Sequence, residues 1–175
     1  VQQDFEMFVS VQSLRFEDLY GGKLCAALDR QHPRDLFDVR LLLNNEGITD
    51  GVRKAFIGYL ISHSRPINEL LHPNVLPIDQ LYGQEFSGMS QEGELLKELK
   101  ELQSSLAGLI LHELTSDEKK FLISFKRGTP DWDLMGLPIL KELPAVRWKL
   151  LNIARMDRQQ HTQAIAKIEQ VLTNS

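Results

Sequence analysis

Glu17-Asp18-Leu19-Tyr20-Gly21-Gly22-Lys23-Leu24-Cys25-Ala26-Ala27-Leu28, followed after a short break by His32-Pro33-Arg34-Asp35-Leu36-Phe37-Asp38-Val39, is the stretch on which the reading of this chain turns. Residues Phe16 to Arg30 carry helical periodicity, and His32-Pro33 interrupts it, because the residue before a proline is pushed out of the α region. A second helix is expected from Arg34 to Asn45, ended by Gly47. The pair therefore predicts two helices joined by a tight turn.

On a helical wheel Phe16, Leu19, Tyr20, Ala26 and Ala27 gather in one sector with Lys23 in its middle. An unpaired buried ammonium costs several kcal/mol, so Lys23 must meet an anion, snorkel to solvent or point into a cleft. The second helix is apolar almost all round, yet Asp35 and Asp38 sit three residues apart on a shared face. Two such carboxylates need cationic company, for which Lys23, Arg34 and Arg40 are candidates. They could serve as structural ion pairs, with Asp35 also supporting the helix start through the dipole. They could equally orient a base, stand behind a bound magnesium ion, or act as general base toward a hydroxyl nucleophile.

Upstream, Phe5, Met7, Val9 and Val11 alternate with Glu6, Ser10 and Gln12, which predicts one half-buried strand. A lone strand is not stable in water, so its sheet partners are expected outside what this sequence supplies. Downstream the pattern is helical, at roughly 50–62, 91–113, 116–127, 144–157 and 159–172. Thr115 with Glu118 makes a capping box. Leu95, Leu99, Leu102, Leu106 and Leu109 form an apolar seam for packing on another helix. Trp148 and Val146 are expected to fill the helical core.

The 175 residues are 42% hydrophobic and 25% charged, which suits one globular unit or one and a half. Charge is unevenly spread: residues 1–118 hold 10 basic and 19 acidic side chains, and residues 119–175 hold 10 and 5. The basic tail, with Lys119, Lys120, Lys126, Arg127, Arg147, Lys149, Arg155 and Arg158 and with Trp132 and Trp148 interleaved, suggests either solvated helix faces or a surface that tracks phosphates. The single cysteine, Cys25, permits no intramolecular disulfide and reads as a small packed side chain. The five histidines show no metal-ligand spacing. No apolar run reaches 18 residues and no signal peptide is encoded, so a cytoplasmic protein with no membrane span is expected. A start at Val1 fits a piece of something longer.

The Lys23 helix and the Arg34-Asp35-Leu36-Phe37-Asp38 segment together resemble the third and fourth motifs of the nucleotidyltransferase toxins of the AbiEii/AbiGii abortive-infection kind, the type IV toxin–antitoxin family. Arg65-Pro66-Ile67-Asn68-Glu69-Leu70-Leu71 and Leu143-Pro144-Ala145-Val146-Arg147-Trp148-Lys149-Leu150 resemble that family's C-terminal region. The resemblance implies a mainly α chain whose N-terminal strand completes a polymerase-beta-like α/β sheet. Residues 1–47 would then be the C-terminal edge of the nucleotidyltransferase domain and residues 48–175 a helical C-terminal domain. It implies transfer of a nucleotide from a magnesium-bound nucleoside triphosphate to an RNA acceptor such as tRNA, with an antitoxin protein as partner. Lys23, beside Arg34, would contact the nucleotide phosphates, and Asp35 or Asp38 would be the late catalytic aspartate. The family's phosphate-cradling Gly-Ser pair is absent, and so is its metal-binding Asp-x-Asp. Asp131-Trp132-Asp133 mimics the latter but follows Gly128-Thr129-Pro130, where a turn with Asp131 as cap and Trp132 as packing residue is expected. Magnesium and nucleotide would thus belong to a longer enzyme, with no cofactor bound by this chain alone. A non-catalytic helical module that binds RNA or an antitoxin is the alternative.

Overall fold

The computed structural model describes residues 14–86 and 95–173. The expected strand at Phe5–Val11 lies outside these residues, as does the start of the helix expected from residue 91. The described chain is mainly helical: α1 (Phe16–Asp29), α2 (Pro33–Asn45), α3 (Asp50–Ser62), a short α4 (Ile67–Leu70), α5 (Asp79–Leu81) running into a π-turn at Tyr82–Phe86, α6 (Leu95–Glu113), α7 (Ser116–Lys126), α8 (Pro144–Ala154) and α9 (Arg158–Thr173). Two 3₁₀ turns, Trp132–Leu134 and Pro138–Glu142, connect α7 to α8.

Local chemistry accounts for the boundaries. Pro33 occupies the first turn of α2, where its missing N–H costs nothing, and His32 Nδ1 accepts from Arg34 N at 3.1 Å. Gly47, at φ 72°, ends α2 and donates its N–H to Leu42 O at 2.8 Å. Thr115 and Glu118 form the expected reciprocal box at the start of α7.

α1 is the organising helix: it packs most extensively on α3 and next on α2, while α6 lies against α2, α8 against α3, and α9 against α7. The α1–α3 approach depends on Gly21, where a Cβ would sit 2.7 Å from both Ala55 Cβ and Phe56 N. Leu24, Cys25, Ala27 and Leu28 of α1 are buried with Leu36 and Val39 of α2 and Val52, Phe56 and Leu60 of α3. The α1 sector expected to be the apolar face is therefore mostly the outer one. Phe16 and Leu19 are 40% and 42% exposed, and only Ala27 of that group is fully buried. Two stripes of similar hydropathy run along α1, and the one carrying the glycine wins the core because backbones can meet there.

Three further expectations change. Trp148 is 60% exposed, whereas Val146 is buried. The α6 seam runs through Leu95, Leu99, Gln103, Leu106 and Ile110 rather than through Leu102 and Leu109. Asp131 stands at the N-cap of its 3₁₀ turn without a side-chain cap bond, while Trp132 does pack, 5.5 Å from the Phe121 ring and 6.4 Å from that of Phe125.

Gln103 in that seam is satisfied. Its amide donates to Gln31 Oε1 at 2.6 Å and to Leu76 O at 2.9 Å, and Gln31 also bonds Asn74 O and Leu76 N. Gln31 holds φ 51° between α1 and α2, a conformation unfavourable for a side-chain-bearing residue, and this network is what retains it.

Two glycine replacements separate these constraints. Gly21→Ala forces a Cβ onto the α3 backbone and lowers unfolding free energy by about 2–3 kcal/mol. Gly108→Ala, in a part of α6 where nothing lies within 4 Å, raises it by about 0.5–1 kcal/mol. Urea titration of both variants measures the contrast.

Candidate functional site

The turn between α1 and α2 brings four charged side chains together. Asp35, one turn into α2, is 1% exposed. Arg30 grips it with a two-pronged pair, Nε to Oδ2 at 2.6 Å and Nη2 to Oδ1 at 2.9 Å. Lys23, two turns back on α1, reaches across to Asp38 Oδ2 at 2.6 Å and to Asp35 Oδ1 at 3.5 Å. A bidentate guanidinium is the geometry best suited to a buried carboxylate, because it satisfies both oxygens with charge-assisted bonds.

Lys23, Asp35 and Asp38 thus converge as their spacing suggested. Arg30 supplies the fork that Arg34 and Arg40 were candidates for. Arg34 is exposed, its backbone amide bonded to His32, and Arg40 pairs with Glu98 at 2.7 Å. Arg30 is not legible in the sequence as this partner because it closes one helix while Asp35 opens the next; five residues apart, they meet only through the turn at Gln31.

The two carboxylates differ in access. Asp35 is sealed beneath Arg30, whereas the Asp38 side chain is 35% exposed and that of Lys23 31%. The Asp38 carboxylate beside it, with Asp35 adding to the attraction, holds the Lys23 ammonium above the ordinary lysine value despite the opposing effect of burial. Lys23 therefore stays cationic throughout the neutral range, with one side open to an incoming oxyanion.

These residues do not fit a divalent cation. Asp35 has both oxygens on Arg30, and a metal at Asp38 would confront the Lys23 ammonium 2.6 Å from the same carboxylate. Among the described residues no group of three His, Cys, Asp or Glu side chains could hold a metal ion.

A family model matches residues 1–152, and its description is nucleotidyl transferase AbiEii toxin, type IV toxin–antitoxin system. The chain belongs to this AbiEii family. The match spans α1 through most of α8, so the Lys23–Asp35–Asp38 cluster lies inside it and α9 outside. Membership in a type IV toxin–antitoxin family implies an antitoxin partner. No curated protein and no solved structure matches the chain. Among the described residues no helix is long and apolar enough to cross a membrane.

Burial also perturbs two groups that make no contact with this cluster, Cys25 and Lys149. Cys25 is 4% exposed, and burial, with Asp29 nearby, pushes its thiol up to about 11, which leaves it no thiolate at neutral pH. Lys149 of α8 donates to Leu60 O at 3.3 Å, His63 O at 2.6 Å and Arg65 O at 3.0 Å, closing the C-terminal end of α3. Burial, with repulsion from Lys126, brings this ammonium down to about 8.

Two measurements follow from these geometries. Arg30→Met leaves Asp35 buried with Lys23 as its remaining charge partner and lowers unfolding free energy by about 2 kcal/mol, whereas Lys23→Met, which spares the fork, costs about 1 kcal/mol or less. For Lys149 the folded pKa lies below the unfolded value of 10.5, so the unfolded chain binds the extra proton between about pH 8 and 10.5. Stability then rises with pH in that window, with a slope from this group of up to about 1.4 kcal/mol per pH unit. Denaturant midpoints collected across the window show that contribution in the wild type and its loss in Lys149→Met.

Proposed function

We propose that this chain contributes the phosphate-binding lysine and a reacting carboxylate to nucleotidyl transfer from a nucleoside triphosphate to an RNA acceptor, tRNA being the foremost candidate. The observation that carries the reading is the unequal exposure of two carboxylates around one partly open ammonium. In this reading Lys23 binds the nucleotide phosphates. Asp38, accessible and 2.6 Å from Lys23, takes the proton of the acceptor hydroxyl. The hydroxyl oxygen bonds to the α-phosphorus, the bond to the pyrophosphate group breaks, and pyrophosphate leaves. Asp35, locked by Arg30, positions Lys23 and is not itself the reacting group. Arg34, exposed at the same helix start, would meet the outer phosphates. Magnesium would enter with the nucleotide through residues other than these.

The second reading, a module that binds RNA or the antitoxin without chemistry, is favoured by the outer face of α8 and its preceding turn. There Trp148, Leu151 and Ile139 are 60%, 55% and 64% exposed.

Transfer of α-labelled nucleotide to RNA by the full-length protein distinguishes the two. Asp38→Asn and Lys23→Met are expected to lower the rate at least about 100-fold while shifting stability by no more than about 1 kcal/mol. Retention of the wild-type rate in Lys23→Met would end the catalytic reading. Loss of growth inhibition in Trp148→Ala with transfer intact would favour the binding role.

A further inference from the structure

An open groove of about 570 Å³, bordered by α4, α6 and α9, shares no residue with the Lys23 cluster. Its size is that of a small-molecule site. Leu111, a core residue of α6, and Val171 of α9, packed against the core, give it an apolar lining. Between them Gly108 borders the same groove, five residues before the end of the 19-residue α6. A glycine inside a helix costs about 0.5–1 kcal/mol relative to alanine. At Gly21 close packing on α3 explains the choice, but a Cβ at position 108 would meet nothing within 4 Å. What Gly108 does is leave the groove open, since a larger side chain there would narrow it.

The polar lining is unspent. Among the described residues none makes a hydrogen bond or ion pair with the side chains of Asn68, His72, Lys167 or Gln170, all of which border the groove. Glu69 borders it as well, yet its charge is offset by Arg65, whose Nε lies 3.8 Å away, and by the buried Lys126 ammonium that it favours. The groove therefore offers one uncommitted cation, Lys167, with two amides that each both donate and accept, over an apolar lining.

We infer that this groove binds an adenine mononucleotide. The phosphate pairs with Lys167, helped by His72 in its cationic form. The flat base lies over Gly108, Leu111 and Val171, where no side chain of residue 108 stands in its way. Asn68 and Gln170 meet the base edge, because a carboxamide complements the paired donor and acceptor at adenine N6 and N7. The site uses none of the Lys23 cluster and stands apart from the transfer reading.

Amide NMR of the full chain, titrated with adenosine 5′-monophosphate to about 10 mM, tests this. Saturable shifts are expected at residues 68–72, 108–111 and 167–171. Lys167→Met removes the phosphate partner, and Gly108→Leu fills the space for the base; each is expected to weaken binding at least about tenfold. Leucine suits a helix and its Cβ has room, so Gly108→Leu is expected to keep a urea midpoint no lower than wild type. Lys23→Met is expected to leave the groove shifts unchanged, which separates this site from nucleotide handling at Lys23. The proposal is overturned if the groove amides do not shift, if shifts are confined to residues 23–38, or if inorganic phosphate alone produces the same shifts with equal affinity.

Discussion

A carboxylate buried to 1% exposure is the constraint around which this molecule is arranged. Left without a partner, a charge at that depth would cost several kcal/mol and hold the segment open to water. The Arg30 fork removes that choice, and its geometry demands that the end of α1 and the start of α2 lie within a few ångströms of each other. The turn joining them must then be tight enough to force Gln31 into a left-handed backbone, and the side chain of Gln31 pins the loop at Asn74–Leu76 and, through Gln103, α6. One buried charge thus determines the angle between two helices and the position of a third.

The same arrangement divides labour between neighbours on α2. Asp35 faces inward, and its oxygens are occupied. Asp38, one turn further on, looks outward and shares Lys23 with it. The two carboxylates keep different surroundings because their partners differ: Arg30 forks onto Asp35, and Lys23 makes its short contact with Asp38.

Much of this was legible in the residues themselves. Helix starts and stops followed from His32-Pro33, Gly47 and the Thr115–Glu118 box, because capping is local chemistry. The shared face of Asp35 and Asp38 follows from their three-residue spacing, and Lys23 is among the cations that the spacing leaves as candidate partners. What escaped depended on tertiary choice. Hydropathy identified an apolar stripe on α1 but not which of two stripes meets α3; the Gly21 contact decides that, and it requires knowing where Ala55 and Phe56 lie. Gln31 and Gln103 read as ordinary polar residues, and their burial depends on a loop more than 40 residues away along the chain from Gln31. Trp148 was expected inside because its size favours burial, yet α8 turns Val146 and Ile153 inward instead.

Lys149 gives α8 a role beyond covering α3. Its single ammonium holds three carbonyl oxygens at the end of α3. The next residue toward the N-terminus, Trp148, stands out in solvent. One side chain thus cross-links α8 to the end of the helix that packs on α1, and because its three bonds share a single ammonium, removing that group unties all three carbonyls at once.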